Sequence, residues 1–136
     1  MADNSRTGLL PILHYDDTRS AVQFLTEVLG FRQEVAASDA EGDIVHAELA
    51  WPGGGALVIG GTKHTDGVHG RMRAGNSAIY LATDEVDLIH DRAREAGAEI
   101  AEAPHRATFG SGTESYVCTV RDPECNLWTI GTYRSG

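Results

Sequence analysis

The sequence predicts an α+β fold made of two βαβββ modules in tandem, and three observations carry that prediction. The order strand, helix, strand, strand, strand is read twice along the 136 residues, with Ile12 matching Ile79, Asp17 matching Asp84, Val22 matching Ile89 and Gly30 matching Gly97. The offset is 67 residues throughout, and self-similarity at a fixed period marks a repeated structural unit. The third observation is the closing stretch, Arg121 to Tyr133, where Asp122–Asn126 reads as a tight turn feeding the strand Leu127–Tyr133. In each module the helix covers one face of a curved mixed sheet, and the other face stays open toward a concave cleft. The whole chain is expected to be a single domain, 1–136, with module 1 over about 9–60, a linker at 61–76 and module 2 over about 77–133.

Each element has its own signal. Residues 1–8 are polar and expected to fray. Leu9–Tyr15 alternates as a strand, and Pro11, which lacks a donor, marks its start or a sheet edge. Asp17 or Thr18 caps a helix to about Leu29, with Ala21, Val22, Phe24, Leu25, Val28 and Leu29 on one stripe and Gly30 at the C-cap. Strands at 31–37, 43–51 and 56–60 follow, separated by a polar turn at Ser38–Gly42 and by Pro52–Gly55. The linker is polar and holds four glycines, and its length marks it as functional or disordered, with a position over a pocket mouth as one option. In module 2, Ser77–Thr83 is a strand, and Asp84–Ala96 a helix with Val86, Ile89, Ala93 and Ala96 at helical spacing before Gly97. Strands around 99–103, 115–121 and 127–133 complete it, with Trp128 and Ile130 on one face of the last and Leu127, Thr129 and Gly131 on the other.

Composition excludes several classes. A net charge of −9 argues against nucleic acid and anionic membrane surfaces, which need clustered Lys and Arg, and mildly favours a cationic small ligand. No apolar run reaches the ~20 residues of a membrane span. The N-terminus shows no secretory signal, and the two cysteines, Cys118 and Cys125, read as reduced thiols, so a cytoplasmic location is expected. Gly53–Gly55 is a turn rather than a phosphate loop, because no Gly-Lys-Ser/Thr follows. Cys118 reads as a small core residue, and no Ser-His-Asp grouping can be assembled.

With the tandem modules, the ending D-P-E-x-N-L-W-x-x-G-T-Y and the tract Val45–Leu49, the chain resembles the vicinal oxygen chelate superfamily. That superfamily groups glyoxalases, extradiol dioxygenases and fosfomycin- and bleomycin-resistance proteins. The likeness runs from about Leu9 to Tyr133 and lies nearest the small bacterial bleomycin-resistance-like, glyoxalase-like members. It implies the glyoxalase/bleomycin-resistance fold and a homodimer. Metal-dependent members carry four His or Glu ligands on the first and last strands of each module. By position these fall on Leu10, Gly60 (or Ile59), Ala78 (or Ser77) and Thr129, none of which is a usual divalent-metal ligand. The resemblance therefore implies a member with no metal at the family positions. Cys125 stands where the family has a glycine, often at positive φ.

No catalytic residue is assigned, so enzymatic activity stays open. The expected ligand-binding residues are His14, His46, Glu48, Tyr80, Phe109, Tyr116 and Thr129, beside Leu10, Ile12, Ala78 and Leu127 on the concave lining. His46 and Glu48, two residues apart, share a strand face opposite Val45, Ala47, Leu49 and Trp51. Tyr80 and Tyr116 offer stacking with a hydroxyl, and Phe109–Gly112 reads as a flexible loop able to close over a ligand. His64 and His69 in the linker read as solvated. Three functions follow: a metal-independent binder of a cationic or aromatic compound, with antibiotic resistance as its setting; a lyase, isomerase or dioxygenase with a divalent metal displaced to His14, His46 and Glu48; or a non-catalytic dimeric scaffold with a vestigial cavity.

Overall fold

A computed structural model describes residues 8–63, 67–109 and 112–134. The chain divides into two compact units at Gly75/Asn76, each built on a four-stranded mixed sheet. Among the described residues, no helix is long and apolar enough to cross a membrane.

Unit 1 contains β1 (Ile12–Tyr15), α1 (Thr18–Gln23), β2 (Arg32–Ser38), β3 (Ile44–Ala50) and β4 (Ala56–Gly61), in the sheet order β1-β4-β3-β2. Only the β1–β4 pairing is parallel. Pro11 stands just before β1, and its carbonyl accepts from the Val58 N–H. Asp17 caps α1, taking the Ser20 N–H at 3.1 Å and the Ser20 hydroxyl at 2.9 Å. The helix then widens into a π-helical turn, Phe24–Leu29, which ends on Gly30 at φ 102°. Thr26 donates its hydroxyl to the Val22 carbonyl at 2.8 Å and competes for the acceptor a regular helix would use. All six stripe residues are buried. They pack with Leu13, Tyr15, Ala47, Leu49, Leu57 and Ile59, which form the helix-covered face of the sheet.

Unit 2 contains β5 (Ala78–Ala82), α2 (Val86–Glu95), β6 (Ile100–Phe109), β7 (Thr113–Arg121) and β8 (Leu127–Gly131), in the order β5-β8-β7-β6. Helix α2 starts two residues later than the sequence suggests, because the Thr83 hydroxyl accepts the Glu85 N–H at 3.0 Å and holds that turn outside the helix. Val86, Ile89 and Ala93 are buried, whereas Ala96 is exposed at the C-cap before Gly97. β6 runs well past Ala103 and pairs with β7 as a long hairpin, Phe109 opposite Thr113. Of the expected loop at Phe109–Gly112, Phe109 ends β6 and Gly112 precedes β7; the Phe109 side chain, Gly110 and Ser111 lie outside the described residues. Both β2 and β6 stand at sheet edges and carry register shifts, the second at Glu102/His105 around Pro104.

The repeat offset of 67 does not hold on the first strands. Ile12 is 45% exposed beside Val58 on the helix-free face, whereas Ile79 pairs with the buried Trp128 on the helix-covered face. A shift of one residue exchanges the faces of a strand, so the two first strands align at an odd-residue displacement from that offset.

The turn Asp122–Asn126 organises β8. Asp122, 5% exposed, accepts the backbone N–H groups of Glu124 and Asn126, the Asn126 side-chain amide and the Trp128 indole N–H, at 2.9–3.1 Å. Asn126 in turn accepts the Ser77 N–H at 2.9 Å, fastening the turn to the start of β5. Cys125 has φ 77°, the left-handed geometry that favours glycine and costs a side-chain-bearing residue about 1 kcal/mol. Replacing Asp122 by Ala leaves these donors without their acceptor. At about 1–3 kcal/mol for each buried group left unpaired, urea denaturation of D122A is expected to show a loss of about 3 kcal/mol or more.

Candidate functional site

In unit 1 the helix-free face is read across the strands in two rows. One is His14–Gly60–His46–Ala37 and the next is Ile12–Val58–Glu48–Val35. His14, His46 and Glu48 therefore share the face that the strand alternation assigns them, while Ala47 and Leu49 are fully buried on the other. His46 Nε2 and Glu48 Oε2 are 3.0 Å apart, both half exposed.

His14 is the buried member, 9% exposed. Its ring lies over Gly60, where a Cβ would meet His14 Cδ2 at 3.5 Å and Nε2 at 3.6 Å. On its other side it stacks against His69, ring centroids 5.5 Å apart and planes inclined by 28°. His69 sits in a 3₁₀ turn, Val68–Arg71, so the segment following β4 is seated on the sheet through this imidazole pair. The linker histidine expected to be merely solvated is exposed yet stacked; its polar, Gly-rich context in the sequence says nothing about a partner far away. His64 lies outside the described residues.

In unit 2 the helix-free face carries the row Tyr80–Thr129–Thr119–Glu102. The Thr129 and Thr119 hydroxyls are 3.1 Å apart, and Thr119 donates to Glu102 at 3.3 Å. Tyr80 donates its hydroxyl to the Tyr133 carbonyl at 3.0 Å, and burial raises its pKa. Gly131 lies against that hydroxyl: a Cβ there would come within 2.6 Å of both Tyr80 Oη and Val117 Cγ1. Tyr116 is on the opposite face. It alternates with Cys118 and Val120, which are buried, and its hydroxyl donates to Asp87 of α2 at 2.6 Å, a bond that raises the tyrosine pKa. The structure thus separates Tyr116 from Tyr80 and Thr129 instead of placing it in a shared lining. Cys118 is fully buried, and burial pushes its thiol up to about 11.

The four family ligand positions do not offer a metal its donors. Leu10 and Ala78 have none, Gly60 has no side chain and His14 lies across the space a longer one would use, and the Thr129 hydroxyl is engaged by Thr119. Among the described residues, the group of three whose ligating atoms lie within 4.8 Å of one another is Asp39, Glu41 and Asp43, in the turn between β2 and β3. His14, His46 and Glu48 share a face without meeting in that way. Asp39 is already an acceptor for the Glu41 and Asp43 N–H groups, and Asp43 is paired with Lys63 at 2.8 Å and Arg19 at 3.4 Å.

A model of the Glyoxalase/Bleomycin resistance protein/Dioxygenase superfamily matches residues 11–130. The chain belongs to this superfamily. Among solved structures, TioX from Micromonospora sp. ML1 is 28% identical, with a TM-score of 0.70 over 95% of this chain and 100% of that one. An integron cassette protein from the mobile metagenome of V. Cholerae shares the fold at 22% identity, with a TM-score of 0.70 over 95% and 98% of the two chains. A glyoxalase/bleomycin resistance protein from Streptomyces sp. CB03234 does so at 23% identity, with a TM-score of 0.65 over 89% and 96%. No curated protein matches the chain.

Burial, and then the neighbouring His69, hold the His14 pKa below the usual histidine value of 6.5. The unfolded chain therefore binds more protons at this site than the folded one once the pH falls below about 6.5. The contribution is complete above that value and lost as the pH falls toward the depressed folded pKa. Chemical denaturation at pH 7.5 and 5.0 is expected to show wild-type protein losing more stability on acidification than a His14→Gln variant.

Proposed function

We propose that this superfamily member is a metal-independent small-molecule binding protein of the bleomycin-resistance type. The observation that carries the reading is the chemistry at the family ligand positions, Leu10, Gly60, Ala78 and Thr129. Three lack any side-chain donor, and the fourth is a hydroxyl hydrogen-bonded within the sheet. In their place the helix-free faces present weak, directional polar groups beside small residues: His46 and Glu48 around Gly60 in unit 1, and Tyr80 and Thr129 beside Gly131 in unit 2. The face of unit 1 suits a ligand held by imidazole stacking and a carboxylate, and that of unit 2 one held by a tyrosine ring and hydroxyl hydrogen bonds. Glu48 and the −9 charge of the chain favour a cationic or aromatic compound. Sequestration of a toxic compound inside the cell, as in antibiotic resistance, is the role this reading assigns.

The test is a thermal-shift screen of the full chain against cationic glycopeptide and planar aromatic antibiotics. Binding at a hundred times Kd stabilises by about 2.7 kcal/mol, a shift of several degrees. At least one compound of these classes is expected to raise the melting temperature, and Glu48→Gln to reduce the shift for a cationic one. Silence across both classes sinks the reading.

A homodimer accompanies this proposal, because open sheet edges and helix-free faces are surfaces that a second copy can cover. Sedimentation equilibrium on the full chain is expected to give twice the 14.6 kDa of one chain. A monomer at high micromolar concentration refutes the dimer and leaves ligand binding as a separate matter.

A further inference from the structure

Unit 1 contains an open pocket of about 660 Å³, lined by Asp16 and Thr62 after the two parallel strands and by Arg71, Met72 and Arg73 of the following segment. Its size falls within the ~300–1,000 Å³ usual for small-molecule sites. Asp16 follows β1 directly and Thr62 follows β4, so the sheet fixes one wall. The other wall belongs to the segment seated on His14 through His69.

The charges of this cavity run against those of the chain. Net charge is −9, and several arginines elsewhere have carboxylate partners, as Arg121 has Glu99 at 3.0 Å and Arg106 has Glu114 at 3.3 Å. Among the described residues, no ion pair engages Arg71 or Arg73. The one carboxylate on the wall, Asp16, accepts the Thr62 hydroxyl. Among the described lining residues two guanidinium groups stand against one carboxylate, in a molecule whose overall field repels anions. Such a balance selects a small anion over a polyanion. Arginine binds carboxylate and phosphate oxygens through paired N–H groups, and the half-exposed Met72 adds an adaptable apolar contact.

We infer that this cavity is a binding site for a small organic oxyanion, a carboxylate or phosphate monoester with an apolar portion, held by Arg71 and Arg73. It is independent of the helix-free-face ligand proposed above. The test is amide NMR of the full chain titrated separately with sodium benzoate and with inorganic phosphate, at ionic strength held constant with chloride. Saturable shifts are expected at Thr62 and at residues 70–74 with at least one probe; benzoate alone assigns a carboxylate, phosphate alone a phosphate. An Arg71→Gln/Arg73→Gln variant is expected to weaken that binding about tenfold or more, the scale of a lost charge-assisted pair, with its unliganded melting temperature unchanged. If the double variant misfolds, the single variants supply the comparison. Linear, non-saturating shifts with both probes, saturation mapped elsewhere, or unchanged affinity in the arginine variants overturns the inference.

Discussion

Four N–H groups converge on the carboxylate of Asp122, and β8 begins where they do. The constraint is a satisfied buried charge. A carboxylate 5% exposed is tolerable only when its oxygens are fully engaged, and the four donors come from a turn that must fold back on itself to supply them. The indole of Trp128 is one of them. Its N–H fixes where the ring lies, and the ring then fills the middle of the core of unit 2 beside Ile130, Cys118 and Val120. Asn126 passes the same constraint to β5 through Ser77. The left-handed geometry at Cys125 is the local cost of closing this turn, small beside the set of bonds it permits.

Much of the fold was legible because alternation and helical spacing are direct consequences of backbone geometry. The stripe of α1, the two faces of β3 and the Asp122 turn all follow from residue spacing alone. The errors have physical sources too. Tyr116 is two residues from Cys118, so strand alternation already placed it on the core face; the attraction of an aromatic with a hydroxyl overrode that count. The offset of 67 aligned the helices and their glycines well, but a strand reverses its facing with each residue, so an alignment good to one residue misplaces Ile79. His69 was invisible as a partner of His14 because their stacking is a tertiary event across 55 positions of sequence. Arg71 and Arg73 did leave a signal, a pair of cations with no acidic residue between Gly67 and Gly75, but only the structure shows the wall opposite them.

The two units share one architecture and differ in the chemistry of their helix-free faces. Unit 1 presents the imidazoles of His14 and His46 and the carboxylate of Glu48. Unit 2 presents a run of hydroxyls, Tyr80, Thr129 and Thr119, ending on Glu102. At the family ligand positions neither unit keeps a metal donor, with Leu10 and Gly60 in one and Ala78 and Thr129 in the other. One face carries ring nitrogens and a carboxylate, and the other carries neutral hydroxyls that both donate and accept hydrogen bonds.

The outer strands β2 and β6 interrupt their own ladders, through register shifts in both and Pro104 in the second. A row of regularly spaced donors and acceptors is what an incoming strand needs to extend a sheet, and neither edge offers one over its length. Growth into fibres by repeated strand addition is therefore obstructed at both of these margins. Self-association at these two margins is left to side chains and faces, whereas β1 and β5, the other edge strands, keep regular ladders.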